Sequence, residues 1–514
     1  MNAIERMIGR LFMIGVDGLS LTNDSRKALH TVQPGFVILF SRNISDRNQV
    51  LGLVDEIQQE LEVPAVVCID QEGGIVTRLD EGFSVSPGAM AIAATGNPSN
   101  SFAVGKIMGW EMKNTKITWD LAPVADLNTN PLNPSLGVRS FGDHAPTAIP
   151  YIKSFYQGLK ASQIAGCAKH FPGYGDVSLD PHLDLPTMEQ DLSQLQAREF
   201  LPFQDLMKEG IETIMPTHVY LPKIQKTKKP TSMDPDILMK ILRGSLNYRG
   251  LIVADDLLMK GVFDSYAPEE SVREGLLAGL DVLTICHEPS TQRSAFTHLV
   301  RWMEANPTVH RHLKETFDRV EGFRNRFLPI YDIEPRFDLQ GHKIMEQIAL
   351  DSITLFKNDD YLVPLPPLGS EDLIVSTKLS RQSQAEERSG KPYLLQQLSV
   401  HFPKVDTLQI TPSLTPEDAL SITKNRKGKV CVFLSENAYL HQGQKELIWN
   451  LMARFDRLLL ISLRNPYDAG IEGLRNCLMT YGYSQPSQKA VFDILLGKHH
   501  PTGKCPVKIH LVPR

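Results

Sequence analysis

Asp255 and Asp256 follow directly on the apolar run Leu251–Ala254, so a buried strand delivers two carboxylates to its carboxyl end. A side chain held by a buried strand is aimed more accurately than one on a loop. Strand alternation turns Asp256 away from whatever Asp255 faces, and the ordinary role left to Asp256 is to cap the next helix. Upstream, Asp180–Pro181–His182 sets a carboxylate beside an imidazole. Histidine titrates near neutrality and can both give and take a proton. A neighbouring carboxylate fixes its tautomer and strengthens it as a base, and Pro181 pushes Asp180 towards an extended backbone. A carboxylate that attacks or stabilises a cationic carbon, with an acid that protonates the departing oxygen, is what cleavage of a glycosidic bond requires.

Other apolar runs end in the same manner. Asp70 closes Ala65–Ile69 and leads into Gln71–Gly74; Lys169 and His170 close the run from Gly166 and lead into FPGYGD; Thr217 and His218 close the run from Thr213. Any one of these reads equally well as a solvated turn or a helix cap. Several on one rim are harder to dismiss, because the βα loops of a barrel converge at the carboxyl ends of its strands.

The runs themselves define the elements that must position these residues. Leu11–Val16, Gly35–Phe40, Ala65–Ile69, Thr118–Leu121, Gly166–Lys169, Thr213–Thr217, Leu251–Ala254 and Asp281–Ile285 are short and rich in Val, Ile and Leu, as buried parallel strands are. Helical patterns lie between them, among them Asp46–Leu61, for which Ser45 is the expected N-cap. The alternation predicts an α/β protein with a (β/α)8 TIM-type barrel, although an open doubly wound sheet has the same pattern. Pro329, Pro335 and Gly341 break the periodicity. The expected organisation is therefore a catalytic barrel over 1–330, a linker over 331–345 and a smaller α/β sandwich domain over 346–514, in which the polar segments Lys378–Lys391 and Leu414–Lys429 include surface loops.

Charge and cysteine content narrow the partners. Lys and Arg number 54 against 59 Asp and Glu, a net charge of −5, which gives no electrostatic reason to expect nucleic acid or an anionic membrane. The six cysteines form no CxxC pair, and Cys68, Cys167 and Cys286 sit in apolar runs, so reduced, buried thiols are expected. The histidines lack metal-ligand spacing such as HExxH, and no metal or organic cofactor is expected. No apolar run is long enough to span a bilayer, and Glu5, Arg6 and Arg10 precede only a short apolar stretch, unlike a secretory leader. A cytoplasmic protein, monomer or homodimer, is the expectation.

Lys169–Pro186, KHFPGYGDVSLDPHLDLP, resembles the acid/base loop of family 3 glycoside hydrolases of the two-domain β-N-acetylglucosaminidase (β-hexosaminidase) type. Ile69–Leu79, Leu121–Pro131, Leu136–Asp143 and Ile252–Val262 resemble further motifs of that family in its order, and Ile353–Pro366, Ser462–Asp468 and Tyr481–Val507 resemble its second domain. The resemblance implies a retaining, exo-acting hydrolase of terminal β-linked N-acetylglucosamine, with cell-wall (muropeptide) fragments as natural substrate. It implies Asp255 as nucleophile, His182 as acid/base, Asp180 as its dyad partner, and Asp70, Arg78, Arg139, Lys169 and His170 as sugar-binding residues. Some positions depart from the family pattern: Ile75 stands for an Arg, Tyr174 for a His, Pro181 for a small polar residue, and Ala254 and Leu258 for serines. The alternatives are a β-glucosidase, β-xylosidase or N-acetylglucosaminide phosphorylase of the same family, since a neutral His repels phosphate less than a carboxylate does, or a non-catalytic sugar-binding protein.

Overall fold

The computed structural model describes residues 1–178, 185–329, 339–383, 385–387 and 392–514. Eight strands come first: β1 (Phe12–Gly15), β2 (Phe36–Leu39), β3 (Val66–Ile69), β4 (Trp119–Asp120), β5 (Cys167–Phe171), β6 (Thr213–Pro216), β7 (Leu251–Ile252) and β8 (Leu283–Ile285). They pair as β4-β3-β2-β1-β8 and β5-β6-β7. Parallel bridges from Trp119 to Ala165 and from Val253 to Val282 join the two groups. The result is a closed parallel barrel, and closure rather than strand content excludes the open sheet. Covered by helices outside and by one another inside, these strands are buried along their whole length, which is why their sequences do not alternate.

Seven of the eight strands are shorter than their apolar runs, whose ends lead into the loops, whereas β5 extends beyond its run to Phe171. The helix expected from Asp46 spans Arg47–Gln59, and its cap is Asp46, whose carboxylate accepts from the amides of Asn48 and Gln49. Ser45, the expected cap, lies one residue too early; a cap must sit where its oxygen reaches the N2 and N3 amides. All six cysteines are free, and all but Cys505 are buried. Among the described residues no helix is long and apolar enough to cross a membrane.

The segment expected as linker lies partly outside the described residues; from Leu339 onwards it is helix, Leu339–Ser352. A second sheet follows, made of β9 (Thr354–Asn358), β10 (Leu373–Thr377), β11 (Asp406–Ile410), β12 (Gly428–Ser435), β13 (Phe455–Ser462) and β14 (Asn476–Met479). Its order is β11-β10-β12-β13-β14-β9, parallel except for β9 against β14. The two polar segments do include surface loops among their described residues, and each holds something more. Leu414–Lys429 contains a helix, Pro416–Thr423, capped by Thr415. In the other segment Glu386 is only 1% exposed, because Arg464 neutralises it. The core of the second sheet also takes in Ile75, Val76, Met90, Ala91, Ala94 and Val138 from the barrel's loops and helices. This gives Ile75 a physical place: where an Arg would need a partner, an isoleucine joins the core between the two sheets.

Candidate active site

A cavity of about 800 Å³ opens at the carboxyl ends of the barrel strands, within the range of small-molecule sites. Asp70, Arg78, Arg139, Lys169, His170 and Asp255 all line it. The loop after β3 is folded back on itself by Gln71, whose side-chain oxygen accepts from the amides of Arg78 and Leu79 and whose nitrogen donates to the Leu79 carbonyl. Gly74 makes that fold possible: its φ is +64°, and a Cβ there would lie 2.8 Å from the Gly88 Cα. Asp70 and Arg78, eight positions apart in the chain, thereby reach the same cavity.

Buried charges hold one another at its floor. Lys169 Nζ is 2.6 Å from Asp70 Oδ1 and 2.8 Å from Glu72 Oε1. Arg139 grips Glu72 with two parallel bonds, Nε to Oε2 at 2.8 Å and Nη2 to Oε1 at 2.7 Å. Burial pushes the Glu72 carboxyl up, but Arg139 and Lys169 outweigh it and hold the group well below the usual carboxylate range. Burial likewise opposes the charge on Lys169, and Asp70 with Glu72 reverse this and raise it. Fully paired, such a network can present fixed N–H groups and carboxylate oxygens to a polyhydroxylated ligand.

The His170 ring Nδ1 is 2.7 Å from Asp126 Oδ2, and the same carboxylate accepts from the amides of His170 and Tyr174. Asp126 therefore fixes both the ring and the start of the FPGYGD loop. Tyr174 packs edge-on against His170, with ring centroids 4.9 Å apart, and its hydroxyl accepts from Arg139 Nη1 at 3.1 Å. The residue that departs from the family pattern is thus tied into the charged floor.

Asp255 stands just past β7, and its Oδ1 accepts from the amide of Asp256 at 2.9 Å. Asp256 is occupied by backbone, accepting from the amides of Leu258 and Cys286; burial pushes its carboxyl up to about 6. Both acids nevertheless line the cavity, because the chain has left the strand at Ile252 and alternation no longer applies; nor does Asp256 cap the next helix, Lys260–Phe263, which starts from Met259 without a side-chain cap. His218 is fully buried, 2.6 Å through Nδ1 from Ser232 Oγ, and does not line the cavity. Asp180, Pro181 and His182 lie outside the described residues.

Sequence reasoning missed Glu72, Asp126 and Glu387. The first two sit inside motifs already singled out, QEGG and LAPVAD, and a charged residue between buried neighbours there was the available signal. Glu387 carried none, being one acid in a polar stretch.

The second sheet's loops also shape the cavity from behind. Asn465 Oδ1 accepts from the Val138 amide at 3.0 Å, its nitrogen donates to Tyr439 Oη, and Tyr439 donates to the Pro131 carbonyl at 2.7 Å. Gly137 admits this approach, since a Cβ there would lie 2.2 Å from Asn465 Oδ1. Arg139 follows at once in the chain. Asn465→Ala leaves the Val138 N–H unpaired, a loss of about 1–3 kcal/mol. It is expected to raise KM severalfold with little change in kcat, as steady-state kinetics would show.

A closed barrel with a cavity of paired charges at its strand ends defines an enzyme of polar small molecules. Residues 3–322 match the model of the glycosyl hydrolase family 3 N terminal domain, and the chain belongs to that family of glycoside hydrolases. It is 34% identical over 285 residues to the beta-hexosaminidase of Actinobacillus pleuropneumoniae serotype 5b, covering 54% of this chain and 81% of the relative. The structure of a glycoside hydrolase family 3 beta-N-acetylglucosaminidase from Paenibacillus sp. str. FPU-7 superposes with a TM-score of 0.89 at 27% identity, over 99% of this chain and 100% of that one. NagZ from Neisseria gonorrhoeae in complex with N-trifluoroacetyl-D-glucosamine superposes with a TM-score of 0.56 at 25% identity, over 66% of this chain and 97% of the other.

Proposed function

We propose that the protein is a retaining, exo-acting β-N-acetylglucosaminidase. The observation that carries this reading is Asp255 lining the same cavity as the Asp70–Lys169–Glu72–Arg139 network; the similarity to enzymes named for hexosaminides supports the choice of sugar. Asp255 attacks the anomeric carbon while His182, held by Asp180, protonates the departing oxygen. Water then attacks the glycosyl–Asp255 ester with His182 as base, returning the proton and releasing the sugar with its configuration retained. Asp70, Arg78, Arg139, Lys169 and His170 bind the sugar's oxygens. Muropeptide fragments in a cytoplasmic setting are the natural substrates in this reading, with 1–330 as the catalytic unit and 346–514 as the second.

Release of 4-nitrophenol from the β-N-acetylglucosaminide, β-glucoside and β-xyloside, each with and without phosphate, tests it. Preference for the first, with free sugar as product in both buffers, is the expected result. A preference for another glycoside overturns the sugar, a sugar 1-phosphate overturns hydrolysis, and binding without turnover of any of them overturns catalysis. His182→Ala is expected to lower kcat/KM by roughly 10²–10⁴-fold. The loss should be larger for a poor leaving group than for 4-nitrophenol, which needs less protonation to depart.

A further inference from the structure

Glu387 belongs to the segment between β10 and β11, yet it lines the barrel's cavity. Its Oε1 lies 2.9 Å from Arg78 Nε, a close ion pair without the alignment of a hydrogen bond, and its Oε2 accepts from the backbone amide of Ser41. The preceding residue fixes the segment from the other side. Glu386 pairs with Arg464 through both oxygens and accepts from the Tyr483 hydroxyl at 3.0 Å. Two successive carboxylates thus point in opposite directions, one locking the segment to the second sheet and one reaching into the barrel.

Arg78 shows what this reach achieves. Its side chain is 3% exposed and stands 3.9 Å from Asp70. Nη1 is buried and has no hydrogen-bond partner among the described residues, although the residue lines the cavity. A guanidinium has five N–H groups in a rigid fork, so fixing one edge aims the rest. A buried N–H left unpaired is unfavourable until an acceptor arrives.

We propose that Glu387 is a positioning residue that holds the Arg78 guanidinium so that Nη1 meets an oxygen of the bound sugar, making the second domain a working wall of the sugar site. This rests on the reading of Asp255 and His182 as the reacting groups. The competing role for a second-domain glutamate is to protonate the leaving group. Both Glu387 oxygens are already engaged, Oε1 by the Arg78 guanidinium and Oε2 by the Ser41 amide.

A double-mutant cycle in the full chain tests this, with Glu387→Gln, Arg78→Ala and the pair, and Glu387→Asp as the conservative variant. Kinetics are read on whichever 4-nitrophenyl glycoside the wild type cleaves, and affinity for the corresponding free sugar is read by calorimetry. Glu387→Gln is expected to raise KM and the sugar's Kd about tenfold, with kcat within about threefold, and to add little once Arg78 is alanine. Glu387→Asp is expected to recover part of the loss. Independent, multiplicative effects of the two substitutions overturn the proposal. So does a collapse of kcat in Glu387→Gln that azide restores with a β-glycosyl azide as product, which would make Glu387 the acid/base. A wild type that cleaves no glycoside counts against the reaction proposed above, whereas the binding arm, run then with N-acetylglucosamine, still decides the role of Glu387.

Discussion

Asp255→Gly is expected to lower kcat on 4-nitrophenyl β-N-acetylglucosaminide by on the order of 10⁴-fold or more, and sodium azide is expected to restore part of it with an α-configured glycosyl azide as product. The reasoning is geometric. The carboxylate stands three residues beyond the end of a buried strand and lines the cavity, and removing it leaves a space on the side from which it would attack. Azide entering that space forms a bond to the anomeric carbon while 4-nitrophenolate leaves with its electron pair. A single displacement inverts the configuration, where two successive displacements through Asp255 retain it. Carbohydrate NMR of the product reads the outcome. A β-azide would place the missing group on the opposite face and remove Asp255 from the nucleophile's role. An Asp255→Gly enzyme of nearly wild-type rate would do the same.

Glu72→Gln should act on stability as well as affinity. The exchange is nearly isosteric, but it leaves Lys169 and Arg139 facing a neutral amide at the bottom of the cavity. Breaking a buried pair by removing one partner costs about 3–5 kcal/mol, and the variant is expected to lose about that much in denaturant unfolding at pH 7. The pH dependence follows from the direction of the shift. The carboxyl is held below its ordinary 4.5 in the folded protein, so its stabilisation is complete above that value and is lost as pH falls through the folded-state value. The stability gap between wild type and Glu72→Gln should therefore be constant near neutrality and narrow progressively in acid. A gap that widened on acidification would contradict the ionised assignment. KM should rise together with the loss of stability, because Lys169 and Arg139 both take their positions from Glu72.

The residues legible in the sequence are those whose position depends on local pattern. Asp70, Lys169, His170 and Asp255 end apolar runs, and a run that forms a barrel strand carries its last residues to the rim. The barrel was the expected fold and the open sheet its alternative; what separates the two is the pair of bridges Trp119–Ala165 and Val253–Val282, which no periodicity encodes. Glu72 was passed over because its importance lies in Arg139, far along the chain. Glu387 was passed over because a polar segment usually means solvent, and here a buried arginine reverses that rule for its neighbour Glu386. Ile75 looked like an unexplained departure until a second core appeared beside it. In each case the missing information is the partner, and partners are supplied by tertiary structure.

The shared core between the sheets ties the two halves together. Ile75, Val76, Met90, Ala91, Ala94 and Val138 are barrel residues by sequence, but they belong to the same buried cluster as second-sheet side chains such as Leu460 and Leu478. A barrel severed after residue 329 would show water an apolar face there, the kind of surface that drives aggregation, and would leave Val138 N–H without Asn465. The second half cannot be exchanged for an unrelated partner without rewriting those six positions, so a graft of either half has to carry its side of the shared core with it.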